Sequence, residues 1–192
     1  MSRMKFGIVY RPKSGHHISG DAYLIKEGEK ATLVCLIDGL GSGKAAAEAA
    51  QAAIGCVEVS STLPLSDIMA KCHQALRGTR GAVMVLLRVS FTESAMGFVG
   101  VGNIGIHVHS SALVKPISRN GIVGYRLPRL QEITYPYTSG DLFVLHTDGI
   151  SSRFILDDGL WTKEAQDVQT LADEIAQNFG KDNDDVTVLV AR

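Results

Sequence analysis

A nearly unbroken apolar strand that runs into a carboxylate and a row of glycines constrains this chain more than any other feature. Ala31 to Ile37 reads Ala-Thr-Leu-Val-Cys-Leu-Ile, followed by Asp38, by Gly39, Gly41 and Gly43, and by Lys44. Packing alone does not end a buried strand in a carboxylate and three glycines. The pattern holds a carboxylate at the lip of a sheet, and the glycines let backbone come close to whatever that carboxylate holds. The next segment, Ala45 to Val57, is apolar on all sides and mostly alanine. That suits a helix packed at short distance on a sheet.

Periodicity orders the rest of the chain. Lys5 to Tyr10 reads as a first strand and Arg11 to Gly20 as a polar loop. Asp21 opens a strand, Ala22 to Glu27, joined by a Glu27-Gly28-Glu29-Lys30 hairpin turn to Ala31–Ile37. Leu65, Ile68, Met69, Cys72 and Leu76 mark one face of a second helix, with Pro64 in its first turn and Gly78 as its left-handed cap. Strands follow at Ala82–Val89, Ala95–Val101 and Ile104–His109. Gly102-Asn103 reads as a two-residue hairpin turn between the last two. Leu113 to Leu127 is irregular, and Ile133–Tyr137 and Leu142–His146 are further strands. Asp157-Asp158-Gly159 reads as loop. Val168, Leu171, Ala172, Ile175 and Phe179 mark a last helix closed by Gly180, and Val186–Ala191 a last strand. Strands and helices do not alternate regularly. The order fits sheet on sheet with helices on the outer faces, in the α+β class.

The 192 residues fit one domain, 1–192, with no repeat or linker. A net charge of -1, with both signs interspersed, opposes a nucleic-acid face. No run of 18 apolar residues is present, so no membrane partner is expected. The N-terminal residues have no signal-peptide pattern. Cys35, Cys56 and Cys72 form no Cys-x-x-Cys pair and sit at apolar positions, as reduced thiols of a cytoplasmic protein do. Cys72 and Arg77 do not form a thiol-phosphatase loop, which needs five intervening residues where this chain has four.

Four acidic positions share one local grammar. Asp21 begins a strand after Ser19-Gly20; Asp38 and Asp148 each follow an apolar strand and precede a glycine; Asp184-Asp185 enter the last strand. A single such Asp is an ordinary turn residue. The set, if its strand ends converge, is a charge problem. Two unit charges 4 Å apart repel by about 4 kcal/mol at an effective dielectric near 20. Such a cluster takes up protons or cations, and oxygen donors without His or Cys select Mg²⁺ or Mn²⁺ over Zn²⁺.

Ser19-Gly20-Asp21, Asp38-Gly39-x-Gly41, Gly140-Asp141-Leu-Phe-Val-Leu-His-Thr-Asp148-Gly149 and Asp184-Asp185-Val-Thr187 together resemble the metal-dependent type 2C (PPM) serine/threonine protein phosphatases, and within them the SpoIIE-like branch. The short length, the Asp-Gly-Leu-Gly-Ser-Gly core and Val101-Gly102-Asn103 are most similar to the stressosome-associated members. The resemblance implies an αββα sandwich, with two central antiparallel β-sheets flanked by helices and a two-ion Mn²⁺ or Mg²⁺ site at one edge. It implies that Asp38 bridges the ions, that the Gly39 carbonyl and Asp21 serve one, and that Asp148 and Asp184 serve the other, Asp184 matching better than Asp185. Asp38 and Asp148 then carry catalysis, with a metal-activated water attacking phosphorus in line. It implies phosphoserine/phosphothreonine proteins as substrates, specifically stressosome scaffold proteins, in a negative-feedback role.

The phosphate-binding Arg of the eukaryotic enzymes has no clear match, and Arg11, Arg80 and Arg119 are the candidates to replace it. His146 reads as a structural strand residue. Two other function classes compete. Gly39 to Lys44 could bind a nucleotide at a helix terminus, but Asp38 replaces the first P-loop glycine and Ala45 the Ser/Thr. A catalytically silent module of the same fold would keep the acids without turnover.

Overall fold

The computed structural model describes residues 4–156 and 167–192. The predicted loop Asp157-Asp158-Gly159 lies outside the described residues. The strands are β1 (Phe6–Arg11), β2 (Asp21–Glu27), β3 (Ala31–Gly39), β4 (Ala82–Ser90), β5 (Ala95–Val101), β6 (Gly105–His109), β7 (Ile133–Pro136), β8 (Leu142–His146) and β9 (Val186–Ala191). The helices are α1 (Lys44–Ser60), α2 (Leu65–Ala75) and α3 (Val168–Phe179).

Two antiparallel sheets result, one in the order β1-β9-β8-β6 and the other β2-β3-β4-β5-β7. Strand alternation explains how they stack. One face of β3 and β4 (Cys35, Ile37, Met84, Leu86) packs under α1 and α2 through Ala50, Ala53, Ile68 and Met69. The other face (Val34, Leu36, Val85, Leu87) meets Phe143, Leu145 and Leu189 of the second sheet. The outer face of that sheet (Val144, Val186, Val188, Val190) is covered by Leu171, Ala172 and Ile175 of α3. The α+β, αββα sandwich is therefore observed. β3 reads as a continuous apolar run because both its faces are buried.

The alanines of α1 have a specific use. A Cβ on Gly39 would strike the Ala46 carbonyl, so α1 begins directly over the end of β3. The β2–β3 turn is a hairpin, closed by the Gly28 amide donating to the Ala31 carbonyl at 3.0 Å. Helix α2 starts after Pro64 and ends at Ala75, and Gly78 (φ 88) turns the chain three residues later rather than capping the helix directly.

The predicted Gly102-Asn103 hairpin is not one. β5 pairs with β4 and β7, whereas β6 pairs with β8 in the other sheet. Gly102 (φ 102) turns the chain from one sheet to the other, and a Cβ there would run into Val83. A tight turn between two alternating strands looks the same in sequence whether the strands pair or switch sheets. The cysteines are free, and burial pushes the Cys35 and Cys72 thiols up, which keeps them unreactive. Among the described residues no helix is long and apolar enough to cross a membrane.

Candidate metal centre

The ends of four strands meet at one edge of the sandwich. Asp21 and Asp38 are cross-strand partners on β2 and β3. The neighbouring strands β8 and β9 of the other sheet bring up Asp148, just past β8, and Asp184-Asp185, just before β9. Asp38, Asp148 and Asp184 line one hollow of about 330 Å³ with Leu40, Gly41, Val83 and Asn103.

Asp21 is buried behind that hollow and joins the two sheets. Its Oδ2 accepts hydrogen bonds from Thr147 Oγ1 at 2.8 Å and Thr187 Oγ1 at 2.7 Å. The Thr147 hydroxyl in turn accepts the Thr187 amide at 3.1 Å. Gly39 is buried too, and its amide donates to the Gly20 carbonyl at 3.0 Å. Its own carbonyl oxygen lies 3.4 Å from where a Cβ of Gly20 would sit, so it faces the Ser19-Gly20-Asp21 turn.

The adjacent acids Asp184 and Asp185 have different surroundings. Asp185 is buried, and both its oxygens are used: Oδ1 accepts the Lys13 amide at 2.9 Å and Oδ2 the Gly20 amide at 2.7 Å. It pins the β1–β2 loop that presents Asp21. Asp184 faces the hollow, one oxygen accepting the Asp185 amide at 3.0 Å. Asp141 lies elsewhere, closing the turn into β8 by accepting the Thr138 amide at 2.8 Å.

The electrostatics follow from this crowding. Burial raises the Asp38 carboxyl to about 8, with Asp21, Asp148, Asp184 and Asp185 adding repulsion. Burial raises Asp21 to about 7 despite the opposing hydroxyls of Thr187 and Thr147. Burial, then Asp148, raises Asp184. These acids resist carrying their charge together unless a cation joins them. Among the described residues no three His, Cys, Asp or Glu side chains stand close enough together to hold an ion as they are. An open, all-oxygen donor set suits a hard divalent ion that keeps several waters, so the residues fit Mg²⁺ or Mn²⁺. A nucleotide at the Gly39–Lys44 loop would meet the same carboxylates, because Gly41 shares their hollow.

Sequence reasoning missed three contributors. Asn103, read as a turn residue, donates from Nδ2 to Asp148 Oδ2 at 3.1 Å. Thr147 and Thr187 hold Asp21, and their signal was present as the Thr beside each acidic motif. His146 is structural in its contacts: Nδ1 donates to the Thr147 carbonyl at 2.9 Å, and Nε2 faces His107 Nε2 at 3.2 Å. The carbonyl fixes the His146 tautomer, so His107 donates between the two rings. Burial, then His146, lowers His107 to about 4. Of the candidate arginines, Arg11 reaches the Lys181 carbonyl and Asp182, and Arg119 bonds Gln131 in a separate cavity of about 480 Å³.

With this geometry in hand, likeness to known proteins becomes specific. The family described as Stage II sporulation protein E (SpoIIE) matches residues 28–192. The chain belongs to the SpoIIE family. Phosphoserine phosphatase RsbX of Bacillus subtilis (strain 168) is 27% identical over 188 residues, 96% of this chain and 93% of that protein. A chain solved in work on the bacterial stressosome is 36% identical over the full length of both, with a TM-score of 0.93. RsbX in complex with magnesium is 26% identical, covers 98% of this chain and 94% of that one, and has a TM-score of 0.87. The two-sheet architecture is that of the PP2C phosphatase domains. This SpoIIE-family chain is an RsbX-like phosphatase of PP2C type.

Proposed function

We propose that residues 1–192 act as one phosphatase domain, a cytoplasmic Mn²⁺- or Mg²⁺-dependent phosphoserine/phosphothreonine protein phosphatase acting on stressosome scaffold proteins. The convergence of Asp38, Asp148 and Asp184 on one hollow, with Asp21 locked behind it, carries the reading. Asp38, Asp21 and the Gly39 carbonyl would hold one ion, and Asp38, Asp148 and Asp184 the other. Bound ions supply positive charge to the phosphoryl oxygens and a water of lowered pKa.

The chain's own residues fix the donors beforehand. Thr147 and Thr187 aim the Asp21 carboxylate, Asn103 orients Asp148, and Lys181 donates from Nζ to the Asp148 carbonyl at 2.5 Å. Asp185 keeps the Ser19-Gly20-Asp21 turn in register with β3. Fixed donors cost little reorganisation during reaction. The hollow is open to solvent, which admits a phosphorylated side chain on a protein surface. The name and magnesium complex of RsbX support the substrate class and the metal, and the stressosome relative supports the partner.

The test is phosphate release from phosphoserine and phosphothreonine peptides and from a phosphorylated stressosome scaffold protein, with Mn²⁺, Mg²⁺ or EDTA. Release that needs the ion and is lost in Asp38→Asn is expected. Folded protein that releases nothing from any of them would instead be a silent module.

A further inference from the structure

The replacement for the missing phosphate-binding arginine is Arg80, we infer, a residue of the α2–β4 loop whose guanidinium lies against the Gly41 wall of the carboxylate hollow. The inference rests on the phosphatase reading above and names the residue that recognises the substrate phosphate.

Contact is the first observation. A Cβ built on Gly41 would meet Arg80 Nη1, with Cζ 3.5 Å and Cδ 3.7 Å from the same point. Gly41 itself lines the hollow beside Asp38, Asp148 and Asp184. Gly41 has a φ of 94, a conformation L side chains rarely adopt, so backbone and space both demand glycine there.

The platform under Arg80 is fixed. Thr79 Oγ1 donates to the Leu76 carbonyl at 2.7 Å and accepts the Gly81 amide at 3.0 Å. The Gly81 carbonyl accepts the Leu40 amide at 3.0 Å, tying this loop to the one that carries Gly41. Buried His73 accepts the Gly124 amide on Nδ1 at 3.0 Å, and Gly124 packs on Gly81. Two residues past Gly81 the chain enters the hollow's lining at Val83.

Arg80 is also unengaged. It is exposed and makes no hydrogen bond or ion pair among the described residues. Arg11, Arg119 and Lys181 each have a partner. A guanidinium set against Gly41, which lines the hollow, and bonded to no described residue keeps its fork for an incoming anion. The phosphate of the substrate class proposed above fits that fork in two-pronged fashion.

The experiment combines three readouts in Mn²⁺: steady-state kinetics on a phosphoserine peptide, competitive inhibition by inorganic phosphate, and calorimetric binding of the same peptide carrying a non-hydrolysable phosphonate. Arg80→Ala is expected to raise KM, the phosphate inhibition constant and the phosphonate Kd together by about tenfold or more, with kcat changed less. Arg80→Lys should recover part of the loss, since it keeps the charge but not the fork. Arg119→Ala should match the wild type. If Arg80→Ala lowers the melting temperature, Arg80→Gln gives the comparison with the aliphatic stem kept and the charge and fork removed. A folded variant with wild-type phosphate inhibition and phosphonate binding would overturn the role of Arg80 while leaving the phosphatase reading intact. Wild-type protein that neither releases phosphate nor binds the phosphonate would overturn both.

Discussion

Asp184 and Asp185 are neighbours in sequence and opposites in use. Asp185 is buried and both its oxygens accept backbone amides, whereas Asp21, buried as well, takes both threonine hydroxyls on Oδ2 alone and so stands between the two uses. Asp184 faces the hollow with Asp38 and Asp148. Carboxylates satisfied from within shape the loops; those facing the hollow hold charge for a partner from outside. The strand ends thus form two layers, a structural one and a reactive one.

The largest effect should come from the reactive layer. Asp38→Asn is expected to cut phosphate release on the order of 10²–10³-fold or more while leaving the metal-free melting temperature nearly unchanged or raised, because a charge that burial and four acids oppose has been removed. Kinetics beside calorimetry without metal checks both halves. A collapse in metal-free stability would place Asp38 in the structural layer and break the division.

Asp185→Ala should show the converse. It leaves the Lys13 and Gly20 amides without their acceptor, and each such loss costs about 1–3 kcal/mol. Denaturant unfolding without metal should show the drop, while Asp184→Ala stays near wild type there and loses the metal response. The metal response itself sharpens the contrast. Ion at about 100 times its Kd adds about 2.7 kcal/mol to the folded state, read as a rise in melting temperature that EDTA reverses.

Much of this was legible in the sequence, for a physical reason. Apolar periodicity gives β3 as a two-sided strand and α2 and α3 as one-sided helices, because burial acts on local pattern. The strand-Asp-Gly endings at Asp38 and Asp148 were visible because a charge at the end of an apolar run has few packing explanations. Pattern alone did not separate Asp184 from Asp185, since alternation puts them on opposite faces without saying which face is the site; only the family resemblance favoured Asp184. Gly102-Asn103 misled because sheet switching is decided by pairings far along the chain. Arg80 stood among three candidate arginines that the sequence could not rank, and Asn103 was read only as a turn residue: their positions depend on Gly41 and Asp148, brought close only by the tertiary fold.

A smaller effect is expected from the histidine pair. The folded His107 sits at about 4, below its ordinary 6.5. Between those values the unfolded chain takes up a proton that the folded chain refuses. Its contribution is therefore fully present above about 6.5 and is lost as pH falls toward 4. Melting temperatures across that window should fall less steeply for His107→Gln than for the wild type. Parallel curves would mean that His107 titrates normally in the fold.

The most direct measurement is phosphate release from a phosphoserine peptide in Mn²⁺, Mg²⁺ and EDTA by wild type, Asp38→Asn and Asp184→Asn, each shown to be folded. The expected result is ion-dependent release by the wild type, abolished by EDTA and by Asp38→Asn and strongly reduced by Asp184→Asn. Release that persists in EDTA, or survives Asp38→Asn at the wild-type rate, would contradict a carboxylate-held metal centre at these strand ends.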